Sequence, residues 1–170
     1  MITNPQAVMD ADVPAIPSEA AALFDDHDFF GIMDIGGDPS GARVLARYRQ
    51  KIAREDPRVI CVLNARRPLT RTPAEAVDYI RGIEQAGGFQ ITELVNNTHL
   101  CGETTAEDIM DGALFCRAVS EETGIPLTCH TVEERLLKRV GGDLVLRLEL
   151  ADDQFVWPLH IYMKKPWEIV

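Results

Sequence analysis

The chain has 170 residues, 46% of them hydrophobic and 26% charged, with 17 basic and 27 acidic side chains and a formal net charge of −10. That mix excludes a disordered chain, and no apolar run approaches the roughly 20 residues that a membrane-spanning helix needs. So acidic a surface repels nucleic acid and anionic lipid, and the basic residues Arg43, Arg47, Arg49, Lys51 and Arg54 spread around a helix rather than forming a stripe.

The start, Met1-Ile2-Thr3-Asn4-Pro5, has neither the basic region nor the apolar stretch of a signal peptide, so a cytoplasmic location is expected. Cys61, Cys101, Cys116 and Cys129 form no CxxC pair and are expected to stay reduced there. Pro5, Pro14 and Pro17 make residues 1–17 an irregular lead-in, and Ser18 is placed to cap a short helix over 19–23. The apolar run from Phe29 to Ile35 predicts a strand buried on both faces. A loop, Gly36-Gly37-Asp38-Pro39-Ser40-Gly41, follows it, and Pro39 suits the first turn of a helix carrying Val44, Leu45, Tyr48 and Ile52.

The alternation then repeats. Strands are predicted at Val59–Leu63, Ile91–Val95 and Ile125–Cys129. The helix after the first of them has Thr72 as cap, Pro73 at its first position, Glu75 at its third, and Gly87-Gly88 as its stop. The next opens at Thr104 or Thr105 and carries Ile109, Ala113, Phe115, Cys116 and Val119, and a further helix covers Val132–Val140. Short apolar strands alternating with helices predict an α/β fold: a mostly parallel sheet with helices on both faces. The alternating stretch from Asp143 to Leu150 and the stretch from Phe155 to Met163 predict a C-terminal antiparallel hairpin, over 143–163, on the sheet edge. The whole of 1–170 reads as one domain.

Ligands of open parallel sheets bind at the carboxyl ends of the strands. Four such loops are unusually polar. In Asp34-Ile35-Gly36-Gly37-Asp38, an acid at a strand tip can hold hydrated Mg²⁺ and the glycines let backbone N–H groups approach a phosphate; the alternative is an Asp that caps the next helix. Arg66-Arg67 can meet phosphate or a partner carboxylate, or simply border a turn set by Pro68. In Asn96-Asn97, a side-chain amide matches the donor and acceptor edge of adenine, or makes an Asx turn. His130, after Cys129, either lines a site or caps a helix. A metal site from His99, Cys101, Cys129 and His130 matches no usual zinc spacing.

Taken together, Asp34-Ile35-Gly36-Gly37-Asp38 with Gly41-Ala42-Arg43, Asn64 with Arg67-Pro68, Leu94-Val95-Asn96-Asn97-Thr98-His99-Leu100, Thr123-Gly124-Ile125-Pro126 and Met163-Lys164-Lys165-Pro166-Trp167 resemble the CobQ/CobB/MinD/ParA-type P-loop nucleotide-binding ATPases. The resemblance spans nearly the whole chain. It implies ATP and Mg²⁺ as ligands, with Asp34 as the Walker B-like acid holding Mg²⁺ through water. Gly36, Gly37 and Asp38 would lie at the terminal phosphate, Asn96 or Asn97 would read adenine, and Arg67 would face the nucleotide or a dimer partner. Family members begin with a strand, a glycine-rich loop containing Lys-Ser or Lys-Thr, and a helix, whereas no G-x-x-x-x-G-K-[ST] occurs here. The chain therefore reads as an incomplete P-loop NTPase-like domain without its first βαβ portion. ATP binding without hydrolysis is expected of it alone, or a non-catalytic scaffold role. In this class the phosphate-loop strand lies between the Asp34 strand and the Val59–Leu63 strand. Those two strands are thus expected to pair directly, or to accept a strand from a homodimer or partner chain.

Overall fold

The computed structural model describes residues 28 and 30–162. The expected lead-in to Pro17, the short helix after Ser18, His27 and the Met163–Trp167 ending lie outside the described residues. The chain divides into two compact units, Met1–Val59 with Asp78–Ile91, and Ile60–Val77 with Thr92–Val170.

In the first unit, residues 30–36 form no strand. This corrects the strand expected over 29–35, and the pairing expected of it does not arise. Phe30 and Ile32 are exposed, while Met33 and Ile35 pack against Leu45, Tyr48 and Ile52. An apolar run specifies burial, but a strand also needs a neighbour to hydrogen-bond. Asp38 caps helix α1, Pro39–Arg43, with Oδ1 accepting from the Gly41 N–H at 2.7 Å, and Pro39 sits in its first turn. A 3₁₀ turn over Val44–Tyr48 then leads into α2, Arg49–Ile52. Gly41 has to be glycine here, because a Cβ would fall 2.6 Å from the Gly36 carbonyl oxygen.

The second unit is a four-stranded, wholly parallel sheet in the order β1-β2-β3-β4. The strands are β1 Ile60–Leu63, β2 Glu93–Asn96, β3 Leu127–Glu133 and β4 Phe155–Leu159. Helix α3, Pro73–Gly87, joins β1 to β2; α4, Ala106–Thr123, joins β2 to β3; α5, Glu134–Arg147, joins β3 to β4. Thr72 and Glu75 exchange side-chain-to-backbone bonds at 3.2 and 3.1 Å, as predicted, and α4 opens at Thr105, one of the two residues expected to start it. Two signals that the sequence reading did not use complete α4: Asp108 closes a capping box with Thr105, and Gly124 ends the helix at φ 72°.

One expectation fails in this unit. Residues 143–147 end α5, and β4 runs parallel to β3, so the described residues 143–162 form no antiparallel hairpin. Asp143 to Leu150 alternates, but Leu136, Leu144 and Leu148 also fall at helical spacing, and these three are the buried ones. The helical period won because it completes a core with Ile109, Ala113 and Val132. A helix between two strands then makes their pairing parallel.

The helix layer is seen on one face. Sequential strand order with right-handed crossovers sends successive helices to the same face. Accordingly, α4 and α5 share one face: Ile109, Ala113, Leu136 and Leu144 form one core with Val132 of β3 and pack against Val156 of β4. Of the expected helices on both faces, α4 and α5 supply this one face.

Candidate functional site

At the carboxyl ends of β1 and β2 the backbone is stitched by polar side chains. The Asn97 N–H donates to the Leu63 carbonyl at 2.8 Å, and the Ala65 N–H to Thr98 Oγ1 at 3.1 Å. Asn64 Nδ2 donates to the His99 carbonyl at 3.3 Å, while Asn64 Oδ1 accepts from the Arg66 N–H at 2.9 Å. Asn64 is thus an Asx turn that also ties the two loops.

Asn96 is fully buried, and its amide is consumed internally. Its Oδ1 accepts from the Thr98 N–H at 3.1 Å, and its Nδ2 faces the Ile109 carbonyl at 3.4 Å and His130 Nδ1 at 3.1 Å. Of the two asparagines expected at adenine, this one has both amide atoms engaged within the fold. Asn97 differs. Only its Oδ1 is taken, by a 2.6 Å bond from Thr131 Oγ1, and its half-buried amide nitrogen has no partner among the described residues.

His130 lies within β3, not in a loop, and is fully buried. Because an amide nitrogen donates to Nδ1, the neutral ring carries its proton on Nε2. Burial pushes the imidazole down to about 4, and the positive charge of Arg117 adds to this. Nε2 makes no hydrogen bond of good geometry, so the neighbouring Gln154 side chain offsets the shift only weakly.

Of the paired arginines, Arg66 is committed. Its guanidinium donates to Asp108 Oδ1 at 2.9 Å and Asp111 Oδ2 at 2.8 Å. Hydrogen bonds from the Thr105 backbone and hydroxyl, then from Arg66, hold the Asp108 carboxyl below its ordinary value. The cluster pins the loop after β1 to the start of α4. Arg66→Ala is expected to cost about 1 kcal/mol in urea unfolding, with the difference shrinking at high salt because Arg66 is partly exposed. Arg67 is exposed and its guanidinium has no partner among the described residues.

The remaining predicted residues belong to the other unit. Asp34 is exposed in irregular backbone, Asp38 serves as a helix cap, and Gly37 is open to solvent. Among the described residues no three His, Cys, Asp or Glu side chains converge as a metal site. His99 Nδ1 instead accepts from the Cys101 N–H at 3.2 Å, and Cys129 is buried in β3. Among the described residues, then, Asp34 is an exposed carboxylate that no second or third acidic, His or Cys ligand joins, which does not complete a Mg²⁺ site.

Sequence reasoning missed the Asn96–His130 pair. Its signal was an Asn and a His, each at the end of a predicted apolar strand, but register decides whether they meet. Asn96 lies opposite His130 across the β2–β3 pair, after a register shift between Leu94 and Val95. Comparison with protein-family models, with curated proteins and with solved structures gave no match for this chain.

Proposed function

We propose that this chain is the base-side half of a MinD/ParA/CobQ-type nucleotide-binding domain, which contacts ATP weakly and does not hydrolyse it alone. The observation that carries the reading is the one-way strand order, β1-β2-β3-β4, with α4 and α5 on one face. A doubly wound sheet gains its second helix layer where the strand order reverses. A sheet lacking the first βαβ portion keeps one direction and one layer. Further support comes from Asn97 and Arg67, which sit on the strand-end loops with the amide nitrogen of the one and the guanidinium of the other unspent among the described residues.

A titration with ATP followed by amide NMR tests this. Shifts are expected at Asn97 and Arg67, with a Kd of about 1 mM, and Asn97→Ala is expected to weaken binding several-fold. No shift at saturating ATP would contradict the reading. A second reading, a non-catalytic binding module that kept the fold and lost the nucleotide site, is favoured by Asn96, whose amide is wholly internal. That outcome would leave the protein with a binding surface but no nucleotide.

A further inference from the structure

A cleft of about 220 Å³ lies at the amino ends of β3 and β4, away from the strand-end loops described above. Leu127 of β3 and Gln154, just before β4, line it, as do Arg117, Ser120 and Glu121, which share one face of α4 at i, i+3 and i+4. Glu149 joins them from the turn after α5. Liquid water takes about 30 Å³ per molecule, so the space holds about seven waters. A drug-sized ligand needs about 300 Å³ or more. The cleft therefore suits a small molecule and is too small for a nucleotide.

Charges of both signs line this cleft without neutralising one another. Arg117, Glu121 and Glu149 enter no ion pair among the described residues, although residues 117 and 121 stand one helical turn apart. Arg117 is fixed through Nη2, which donates to the Leu148 carbonyl and, at 3.3 Å, to the Glu149 carbonyl; its Nε and Nη1 donors have no partner among the described residues. The Gln154 carbonyl oxygen accepts from the Ala151 N–H at 3.3 Å, which leaves the amide nitrogen as a further donor. Next to these two is the fully buried His130, whose ring feels both the Arg117 charge and the Gln154 side chain, and whose Nε2 is a donor without an acceptor. Unsatisfied donors gathered in one place favour an anionic ligand atom. Acceptors border the same cleft. Ser120 Oγ donates to the Ile125 carbonyl at 2.6 Å and so offers only lone pairs, and the Glu121 and Glu149 carboxylates accept alone.

We propose that this cleft binds a small free α-amino acid, with its carboxylate taken by Arg117 and Gln154 and its ammonium by Glu121 and Glu149. A zwitterion answers both sets of groups at once, whereas a simple anion meets two carboxylates and a simple cation meets the guanidinium. Gln154 links the ligand to the core: turning its amide nitrogen to the carboxylate leaves its carbonyl for the His130 Nε2–H. Leu127 gives the ligand side chain an apolar wall, and the volume keeps that side chain short. The proposal concerns the other end of the sheet from Asn97 and Arg67 and stands independently of nucleotide binding.

The probe is L-alanine, titrated into the full ¹⁵N-labelled chain and followed by amide NMR. Saturable shifts are expected at Ser120, Glu121 and the Gln154 side-chain amide, with a Kd of about 1 mM. Acetate and ethylamine each carry half of the charge pair and should bind at least about tenfold more weakly. Arg117→Lys, which keeps the charge but loses the fork, should weaken alanine about tenfold, and so should Glu121→Gln combined with Glu149→Gln. The amide spectrum of each variant shows whether it is folded, and if Arg117→Lys is not, the double glutamate variant decides. The absence of saturable shifts overturns the proposal. So does acetate or ethylamine binding as tightly as alanine, or an alanine affinity that the folded variants leave unchanged.

Discussion

Lowering the pH from about 7 to about 4 is expected to remove about 3 kcal/mol of stability through His130 alone. The ring is fully buried and its proton affinity falls from an ordinary value of 6.5 to about 4. The folded state thus binds a proton later than the unfolded state does. Between those two values the unfolded chain holds more protons, so stability rises with pH. The contribution is fully present above about 6.5, declines by up to about 1.4 kcal/mol per pH unit below it, and is gone below about 4. Protonation would add a second donor at Nδ1, facing the Asn96 amide nitrogen that now donates to it. Urea unfolding across this range should show the slope in the parent chain. The difference between parent and His130→Gln cancels the carboxylates common to both, and a difference independent of pH would contradict the assignment.

Gly112→Ala is the second large effect, expected to cost about 2–4 kcal/mol. A Cβ at residue 112 would overlap Thr98 Oγ1, and would come within 2.5 Å of Thr98 Cβ and 2.6 Å of Asn96 Oδ1. Neither neighbour can yield cheaply. Thr98 is buried and its Oγ1 accepts from Ala65 N–H, while Asn96 Oδ1 accepts from Thr98 N–H. The glycine lets α4 approach the end of β2 closely enough for the Ile109 carbonyl to meet the Asn96 amide. Gly142→Ala is the control: it lies in α5 with nothing within 4 Å of a Cβ, and should stabilise by about 0.5–1 kcal/mol. Paired urea melts check both signs.

Local chemistry was the legible part of the fold. Thr72-Pro73-Ala74-Glu75 and Thr105 mark helix starts because a cap needs only neighbours in sequence. Ile60–Leu63 was legible as a short apolar run. The stretch 30–36 was not, since the same run serves equally to cover Leu45 and Tyr48 without pairing. The C-terminal region carried two periods at once, and only the presence of Ile109 and Val132 decided for the helix. The site was least legible. Asn96 and Asn97 are adjacent and chemically identical, yet strand alternation turns one into the core and the other toward Thr131 on the opposite face. Arg66 and Arg67 divide in the same way, one clamped by two carboxylates and one unspent.

We propose that these residues carry the base side of a nucleotide fold without the means to turn ATP over. Asp34 in irregular exposed backbone, Asp38 as a cap and the absence of a G-x-x-x-x-G-K-[ST] loop from the sequence all bear on it. Steady-state phosphate release from ATP and Mg²⁺ by the purified chain tests it most directly. The account predicts release no faster than a protein-free control, with or without Asp34→Ala. Sustained magnesium-dependent turnover that Asp34→Ala abolishes would contradict it.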